Sequence, residues 1–559
     1  MRQLPTAGPA WILLLGCLVL ATPCSPGYGQ GGGAAPGRSS ETANAFISVK
    51  NGRFVDGAGR HVTLHGINVG EKSKAKNYLS WHGPDQFAAM RHWGFNCIRL
   101  LIIWDGLEPE PGRYDDVYLS GVDKRIAWAK QNSIYVLLDM HQDLYSAKFG
   151  ADGAPIWATL DDGKPHVSQG GVWSNAYLTS PAVQTAFDNF WANKAGPDGV
   201  GIQDRFALAW QHVANRYADE PAVLGYDILN EPFIGSQAVQ AQRLMTAKFA
   251  QLIAAAKAGS GAVDGAQQNP DWTDPDGRIV ITRLLGDIDI YVPAMEACEP
   301  ILHEFERTSL AAMYRRVGNA IRQVDKNHIL FIETGPFSVA GARSGIGPLL
   351  TPGGEPDPLQ AFAPHGYDIV TDTREVASAD SRRVELIFAR HGETAQRLGL
   401  PMIIGEWGAF GRSREALHAA GDVVRQFERL LCGDTYWEFN KGVESTAHFP
   451  MLKRPYPQAV AGTLISYQFD PETSLLECVW KENPSIAEPS RIYLPDLWYP
   501  EGYEVNVSPA GQGYQAEPIA GTSHSVYLSI ASTGQAVERR LLLRPMSSTR
   551  VKETQETDR

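Results

Sequence analysis

The strongest constraint on this chain is an alternation. Short apolar, β-branched runs recur at residues 63–67, 96–103, 134–140, 223–229, 328–333, 362–365, 402–406 and 435–439. Continuous apolar runs of this length are what parallel strands need when both faces are covered. Segments of helical period lie between most of them, at 84–93, 119–131, 202–217, 301–324, 381–398 and 413–431. The first of these opens with Pro84 and carries Phe87, Met90 and Trp93 at helical spacing. Eight strand candidates with helices between them predict an α/β fold, a (β/α)8 TIM barrel. Residues 338–360 show no helical period and predict an irregular crossover.

At 559 residues the chain is too long for one ordinary core, so a second domain is expected. After Pro450 the helical period stops. Short alternating runs follow at 463–469, 475–480, 491–494, 503–507, 525–530 and 539–543, which predict an antiparallel β-sandwich over 451–546. The barrel is assigned 46–450. Its first part carries two turn signals, Asn51-Gly52 and Asp56-Gly57, and predicts a small hairpin. Residues 1–29 read as an export signal, with Arg2 followed by a short apolar stretch from Ala10 to Ala21. Residues 30–45 read as a flexible linker and 547–559 as a disordered tail. A secreted, extracellular or periplasmic protein is therefore expected. Leu14-Leu15-Gly16-Cys17 leaves lipid anchoring as an alternative.

The formal net charge of -12 argues against a nucleic-acid partner, which would require a basic face. Cys97, Cys298, Cys432 and Cys478 lie beyond the signal and show no close pair spacing, which disfavours zinc. An exported chain could pair them, with no pairing selected by the sequence. Residues 143–180 and 259–300 are long, Gly/Pro-rich and aromatic, as lids or binding loops are.

Two segments carry the chemistry: Leu229-Asn230-Glu231-Pro232 and Ile404-Gly405-Glu406-Trp407-Gly408. Each puts a glutamate where a buried strand, the fourth or the seventh, should meet a loop. Barrel enzymes react at these strand ends, and paired carboxylates are what glycoside hydrolysis needs. Glu231 is assigned as general acid/base and Glu406 as nucleophile. Asn230 can donate to a sugar hydroxyl. Glu333, Glu438 and Asp227 are competing carboxylates without a comparable supporting set; Glu333 could orient a neighbour or bind sugar, and Glu438 could be a packed structural acid.

That set resembles glycoside hydrolase family 5. Arg99 matches the family's arginine on the second strand, and His141 the histidine on the third. His365 and Tyr367 match a histidine–tyrosine pair after the sixth, and Trp437 an aromatic platform on the eighth. The arginine can hold the nucleophile ionised, the tyrosine can position it, and the tryptophan can stack on a pyranose. A narrower resemblance, to endoglycoceramidases, runs from about residue 60 to 470. It is carried by Asp139-Met140-His141-Gln142-Asp143-Leu144-Tyr145-Ser146, Trp173-Ser174-Asn175-Ala176-Tyr177-Leu178, Phe187-Asp188-Asn189-Phe190-Trp191, Pro364-His365-Gly366-Tyr367-Asp368 and the run 454–462.

The resemblance implies retaining hydrolysis of the glycan–ceramide linkage of glycosphingolipids, no cofactor and no metal. It also implies transient contact with a membrane surface or micelle and no obligate protein partner. Lys72, Asp143 and Trp173 are expected to contact the glycone, with a solvated lysine cluster as the alternative. An apolar groove is expected beside the sugar pocket, from Phe149, Ile156, Trp157, Leu349, Leu350 and Phe449. Alternatives are an exo-acting glucosyl- or galactosylceramidase, a cellulase-like glycanase, and a non-enzymatic carbohydrate-binding barrel.

Overall fold

In the computed structural model nine parallel strands make one curled sheet. In spatial order they are His365–Gly366, Ile403–Gly408, Gly433–Trp437, His65–Val69, Cys97–Ile103, Tyr135–His141, Val223–Asp227, Ile329–Ile332 and Gln360–Phe362. The two end strands of that order are neighbours in sequence and form one interrupted sixth strand. Its lower half pairs with Ile329–Ile332 and its upper half with Ile403–Gly408, and a Phe362–Met402 bridge adds to the closure. Pro364 sits at the interruption; it has no N–H to give to a ladder. The structure describes residues 46–168, 173–260, 284–371, 379–414, 416–509 and 513–546; the expected signal, linker and tail lie outside them.

The strands are apolar because both faces are covered. Cys97–Ile103 is buried at every residue. Leu64, Cys97, Leu137, Leu224, Ile329, Ala361 and Ile403 form a separate apolar cluster with Ile47, Phe54 and Val62 of the N-terminal segment. The upper ends instead carry polar side chains. Helix Ile202–Tyr217 shows how the outer layer fixes the site: its fully buried Trp210 donates Nε1–H to the Ile228 carbonyl at 2.9 Å, just ahead of Asn230 and Glu231.

The C-terminal region holds two antiparallel sheets. One has four strands, Gly462–Asp470, Leu475–Glu482, Glu538–Pro545 and Tyr503–Ser508. The other contains Tyr456–Val460, Ser490–Leu494, Val526–Ile530 and Tyr514–Pro518, and is extended by the N-terminal hairpin Ser48–Lys50/Arg53–Val55 through His61–Val62. That hairpin, assigned by sequence to the barrel, thus completes the C-terminal sheet. Its turn uses Asn51 and Gly52 at φ 51° and 68°, the left-handed pair that a two-residue hairpin requires.

The crossover over 338–360 is irregular, as expected, with one short helix at Pro336–Val339 before it. The second insertion differs from expectation. Its residues 288–296 and 299–305 are helical, and helix Gln237–Ser260 precedes it; residues 261–283 lie outside the description. Cys97, Cys298, Cys432 and Cys478 are each buried and free, so the disulfide alternative does not apply to them. Among the described residues no helix is long and apolar enough to cross a membrane.

Candidate active site

Arg99, in the middle of the second strand, is fully buried and organises the upper end of the barrel. Its Nε donates to Asp227 at 2.8 Å. Its Nη1 donates to Glu406 at 2.7 Å, and its Nη2 to Asn230 at 2.9 Å and Glu333 at 2.8 Å. Asp139 lies 3.0 Å from the same guanidinium. Burial alone would lower its pKa, but these carboxylates outweigh that and hold the guanidinium charged. Only a planar fork of donors can serve so many acceptors at once.

Glu406 lies within the seventh strand, where the register shifts between Ile404 and Trp407. Such irregularities re-aim side chains beside active sites. One of its oxygens accepts from Arg99 and the other from the Tyr367 hydroxyl at 3.0 Å. Glu231 stands four residues past the fourth strand with φ 42°, a left-handed conformation that costs a non-glycine residue of the order of 1–3 kcal/mol. It is held there by its own N–H donating to Glu333 at 2.9 Å, and by Gln142 donating to the carbonyls of Asn230 and Glu231.

The Nδ1 atom of His365 lies 2.9 Å from Glu231 and 3.6 Å from Glu406. Burial opposes its charge, but Glu333, Glu406 and Glu231 together raise its pKa well above the ordinary range. Oxygens of Glu231 and Glu406 lie within 4.8 Å of each other. That spacing suits direct attack; enzymes that place a water between the carboxylates separate them by about 6.5–9.5 Å.

Lys72, His141, Asp143, Asp152 and Trp437 form a second polar group beside this pair. The Lys72 ammonium donates to Asp143 and lies 4.4 Å from the centre of the Trp437 ring. His141 stacks on the same tryptophan at 5.4 Å, with 10° between the planes. Its Nδ1 lies 2.8 Å from Asp139. Burial and Lys72 lower the His141 pKa, while Asp139 and Asp143 more than restore it, to about 10. Lys72 is therefore paired inside the cleft, whereas Lys74 and Lys76 are exposed, as the solvated-lysine alternative expects of them. Three groups here have donors spaced as a metal would need: His141–Asp143–Asp152, Glu231–His365–Glu406 and Asp139–Asp227–Glu333. Lys72 already serves the first with positive charge, and Arg99 contacts the other two.

One cleft of about 1390 Å³ joins these groups. Lys72, His141, Asp143, Trp173, Asn230, Glu231, Tyr367, Glu406 and Trp437 line it, while Arg99 and His365 lie beneath its floor, fully buried. Glu438 also faces the cleft, its pKa raised by burial against the pull of Lys72. The expected groove is present but built from other residues. Of the six candidates only Phe149 lines the cleft. Ile156 is 56% exposed elsewhere, Trp157 packs edge-on to Trp104, Phe449 packs on Trp93, Leu349 is core, and Leu350 bridges to Pro356. The apolar wall comes instead from Met245, Phe249 and Ile253 of helix Gln237–Ser260, with Leu285, Ala294, Phe337, Val339 and Ile369.

Sequence reasoning missed three things. Helix Gln237–Ser260 was passed over, although residues 237–258 contain neither glycine nor proline and place Met245, Phe249 and Ile253 four apart. Asp152 carries no sequence pattern that marks it, yet it is fully buried with neither carboxylate oxygen hydrogen-bonded. The service of Asp227 to Arg99 is the third; Glu333, for which the sequence allows an orienting role, also serves Arg99 and holds the Glu231 backbone.

Residues 55–281 and 292–442 match the cellulase family, glycosyl hydrolase family 5. The chain belongs to glycosyl hydrolase family 5. Residues 454–537 match the C-terminal domain of family 5 enzymes. This family 5 chain is a glycoside hydrolase similar to the endoglycoceramidase of Hydra vulgaris, 24% identical over 519 residues, covering 84% of this chain and 85% of that protein. It is similar to the endoglycoceramidase of Cyanea nozakii, 25% identical over 546 residues, covering 88% and 94%. Its fold matches endo-glycoceramidase II from Rhodococcus sp. in complex with a five-membered iminocyclitol, with TM-score 0.68, 27% identity and coverage of 90% and 100%.

Proposed function

We propose that this family 5 enzyme hydrolyses the β-linkage between glycan and ceramide in glycosphingolipids, with retention of configuration. The observation that carries the reading is continuity: a single cleft runs from the Glu231–Glu406 pair to an apolar wall of Met245, Phe249, Ile253, Phe337 and Ile369. A cellulose-like polymer has no use for such a wall. A lipid with two long chains does, because each methylene transferred to it from water contributes about 0.8 kcal/mol. The relatives named endoglycoceramidase support the same substrate class.

In the proposed mechanism, Glu231 donates its proton to the glycosidic oxygen as Glu406 attacks the anomeric carbon. The carbon–oxygen bond to ceramide breaks, ceramide leaves as its alcohol, and a glycosyl ester of Glu406 forms. Glu231, now a carboxylate, takes a proton from water. That water attacks the anomeric carbon and releases Glu406. Arg99 and Tyr367 aim the attacking carboxylate. His365 faces both glutamates and supplies a fixed positive charge between them. Lys72, Asp143, Trp173 and Trp437 hold the glycone. No step uses a cofactor or metal.

The test is a product assay on glucosylceramide, galactosylceramide, lactosylceramide, a ganglioside and a soluble cello-oligosaccharide. Release of intact glycan with ceramide is expected. Stepwise loss of single sugars would mean exo action, and turnover of the cello-oligosaccharide alone would overturn the reading. Arg2 and the apolar stretch 10–21 support export with loss of residues 1–29. N-terminal sequencing of protein from the medium or periplasm checks it; residue 1 there would refute it.

A further inference from the structure

Helix Gln237–Ser260 has an unusual composition for this chain. The full sequence carries 62 acidic and 50 basic residues, yet Arg243, Lys248 and Lys257 are the only charges among these 24 residues. One stripe of the helix, through Met245, Phe249 and Ile253, forms the apolar wall of the cleft. The opposite face is open. Leu244, Ala247, Ala254 and Ala255 are exposed there together with Gln240 and Gln251, with Leu244 at 40%, and Arg243 and Lys248 flank them. None of the residues from 242 to 255 is fully buried.

The helix thus has an apolar stripe on the cleft, an uncharged outer face of leucine, alanine and glutamine, and only positive charge beside it. It suits the interface of an anionic bilayer, where the apolar face enters the headgroup boundary and each basic residue adds attraction. The chain as a whole, with net charge -12, would be repelled by that surface. The helix that borders the cleft is thus set apart by carrying positive charge and no negative charge.

We propose that the outer face of helix Gln237–Ser260 docks on an anionic lipid surface. Lipid chains would then pass from the bilayer along Met245, Phe249 and Ile253 to the glutamate pair. This rests on the ceramide reading for its purpose but not for its test.

The experiment is co-sedimentation of the full-length protein with phosphatidylcholine vesicles, with and without phosphatidylserine, and with no glycolipid present. Binding is expected to the anionic vesicles and to weaken as salt is raised. The double variant Arg243→Gln/Lys248→Gln should bind them roughly thirtyfold more weakly. Leu244→Ser should weaken binding severalfold. Turnover of a short aryl glycoside should stay unchanged in both variants, which shows that the fold and the glutamate pair are intact.

Equal binding to both vesicle types, or no loss in the double variant, overturns the proposal. Failure of the wild type to bind either vesicle also overturns it and leaves the face to another kind of partner, such as a protein. Because these vesicles carry no substrate, the outcome is independent of the product assay. Vesicle binding without ceramide release would refute the substrate reading alone, and ceramide release without vesicle binding would refute the docking alone.

Discussion

The two ends of the cleft are built on opposite principles. At the sugar end, charged side chains are buried and locked to one another on strand ends: Arg99 on the second strand, His141 on the third, Glu406 on the seventh. Each hydrogen bond there is costly to leave unmade, so the geometry is rigid. At the apolar end, the half-buried Met245, Phe249 and Ile253 sit on a helix outside the barrel. Apolar contact is non-directional, so this end tolerates variation in the chain it accepts. Directional chemistry sits on the invariant geometry of a closed sheet, and non-directional binding on an added element.

The largest test of this contrast separates the two glutamates. Glu406→Ala should reduce turnover of ceramide-linked and aryl substrates alike, by roughly four to six orders of magnitude. Glu231→Ala should cost about 10²–10⁴ on the natural linkage and far less on aryl glycosides with good leaving groups, which need little protonation. Steady-state kinetics on the two substrates decide it; equal losses for both in the Glu231 variant would reverse the assigned roles.

Next in size, Arg99→Met should destabilise the fold by about 3–5 kcal/mol, since it strands buried carboxylates at Asp139, Asp227, Glu333 and Glu406 without their cation. Denaturant unfolding measures this. A change below about 1 kcal/mol would mean that the sugar end is less tightly coupled than its hydrogen bonds indicate.

Phe249→Asp probes the other end. It should lower kcat/KM for ceramide-linked substrates roughly 10–100-fold, leave a short aryl glycoside unaffected and barely alter stability. Parallel loss on both substrates would make the wall structural and erase the contrast.

The smallest effect concerns Asp152. Burial, reinforced by Asp143 and Asp139, raises its pKa against the pull of Lys72 and His141. The folded state then binds this proton more tightly than the unfolded chain, whose carboxyl titrates near about 3.9. Wild-type stability therefore falls as pH climbs through the window between the unfolded and the raised folded value, and stays lowered above it. Asp152→Asn should be more stable than wild type by about 1–2 kcal/mol at neutral pH and above, with no gain near pH 4. Unfolding curves across pH check it. A variant that loses stability at neutral pH would mean that the charged form of Asp152 helps to hold Lys72.

Much of the sugar end was legible in the chain because its residues sit at the upper ends of strands, whose apolar runs are visible one at a time. Glu231, Glu406, Arg99 and Tyr367 each follow or interrupt such a run, and the structure brings all four together. The apolar end was not legible. Ile156, Trp157 and Leu349 are apolar residues in the right stretches of sequence, yet they pack elsewhere or stand apart. Whether an apolar residue lines a groove or fills a core depends on what faces it, and no local pattern carries that. Met245, Phe249 and Ile253 lay on an alanine-rich helix whose partners come from residues 284–295 and 336–369.

The sequence by itself determined the barrel, the β-rich C-terminal region and the two carboxylates. These depend on period, turn chemistry and residue type, all of which are local. Only the tertiary structure decided that Glu333 and Asp227 serve Arg99, and that the N-terminal hairpin completes the C-terminal sheet. It also decided that helix Gln237–Ser260 supplies part of the apolar wall of the cleft. Each of these is a contact between segments far apart in the chain, fixed by the closure of the sheet and by which buried groups can satisfy one another.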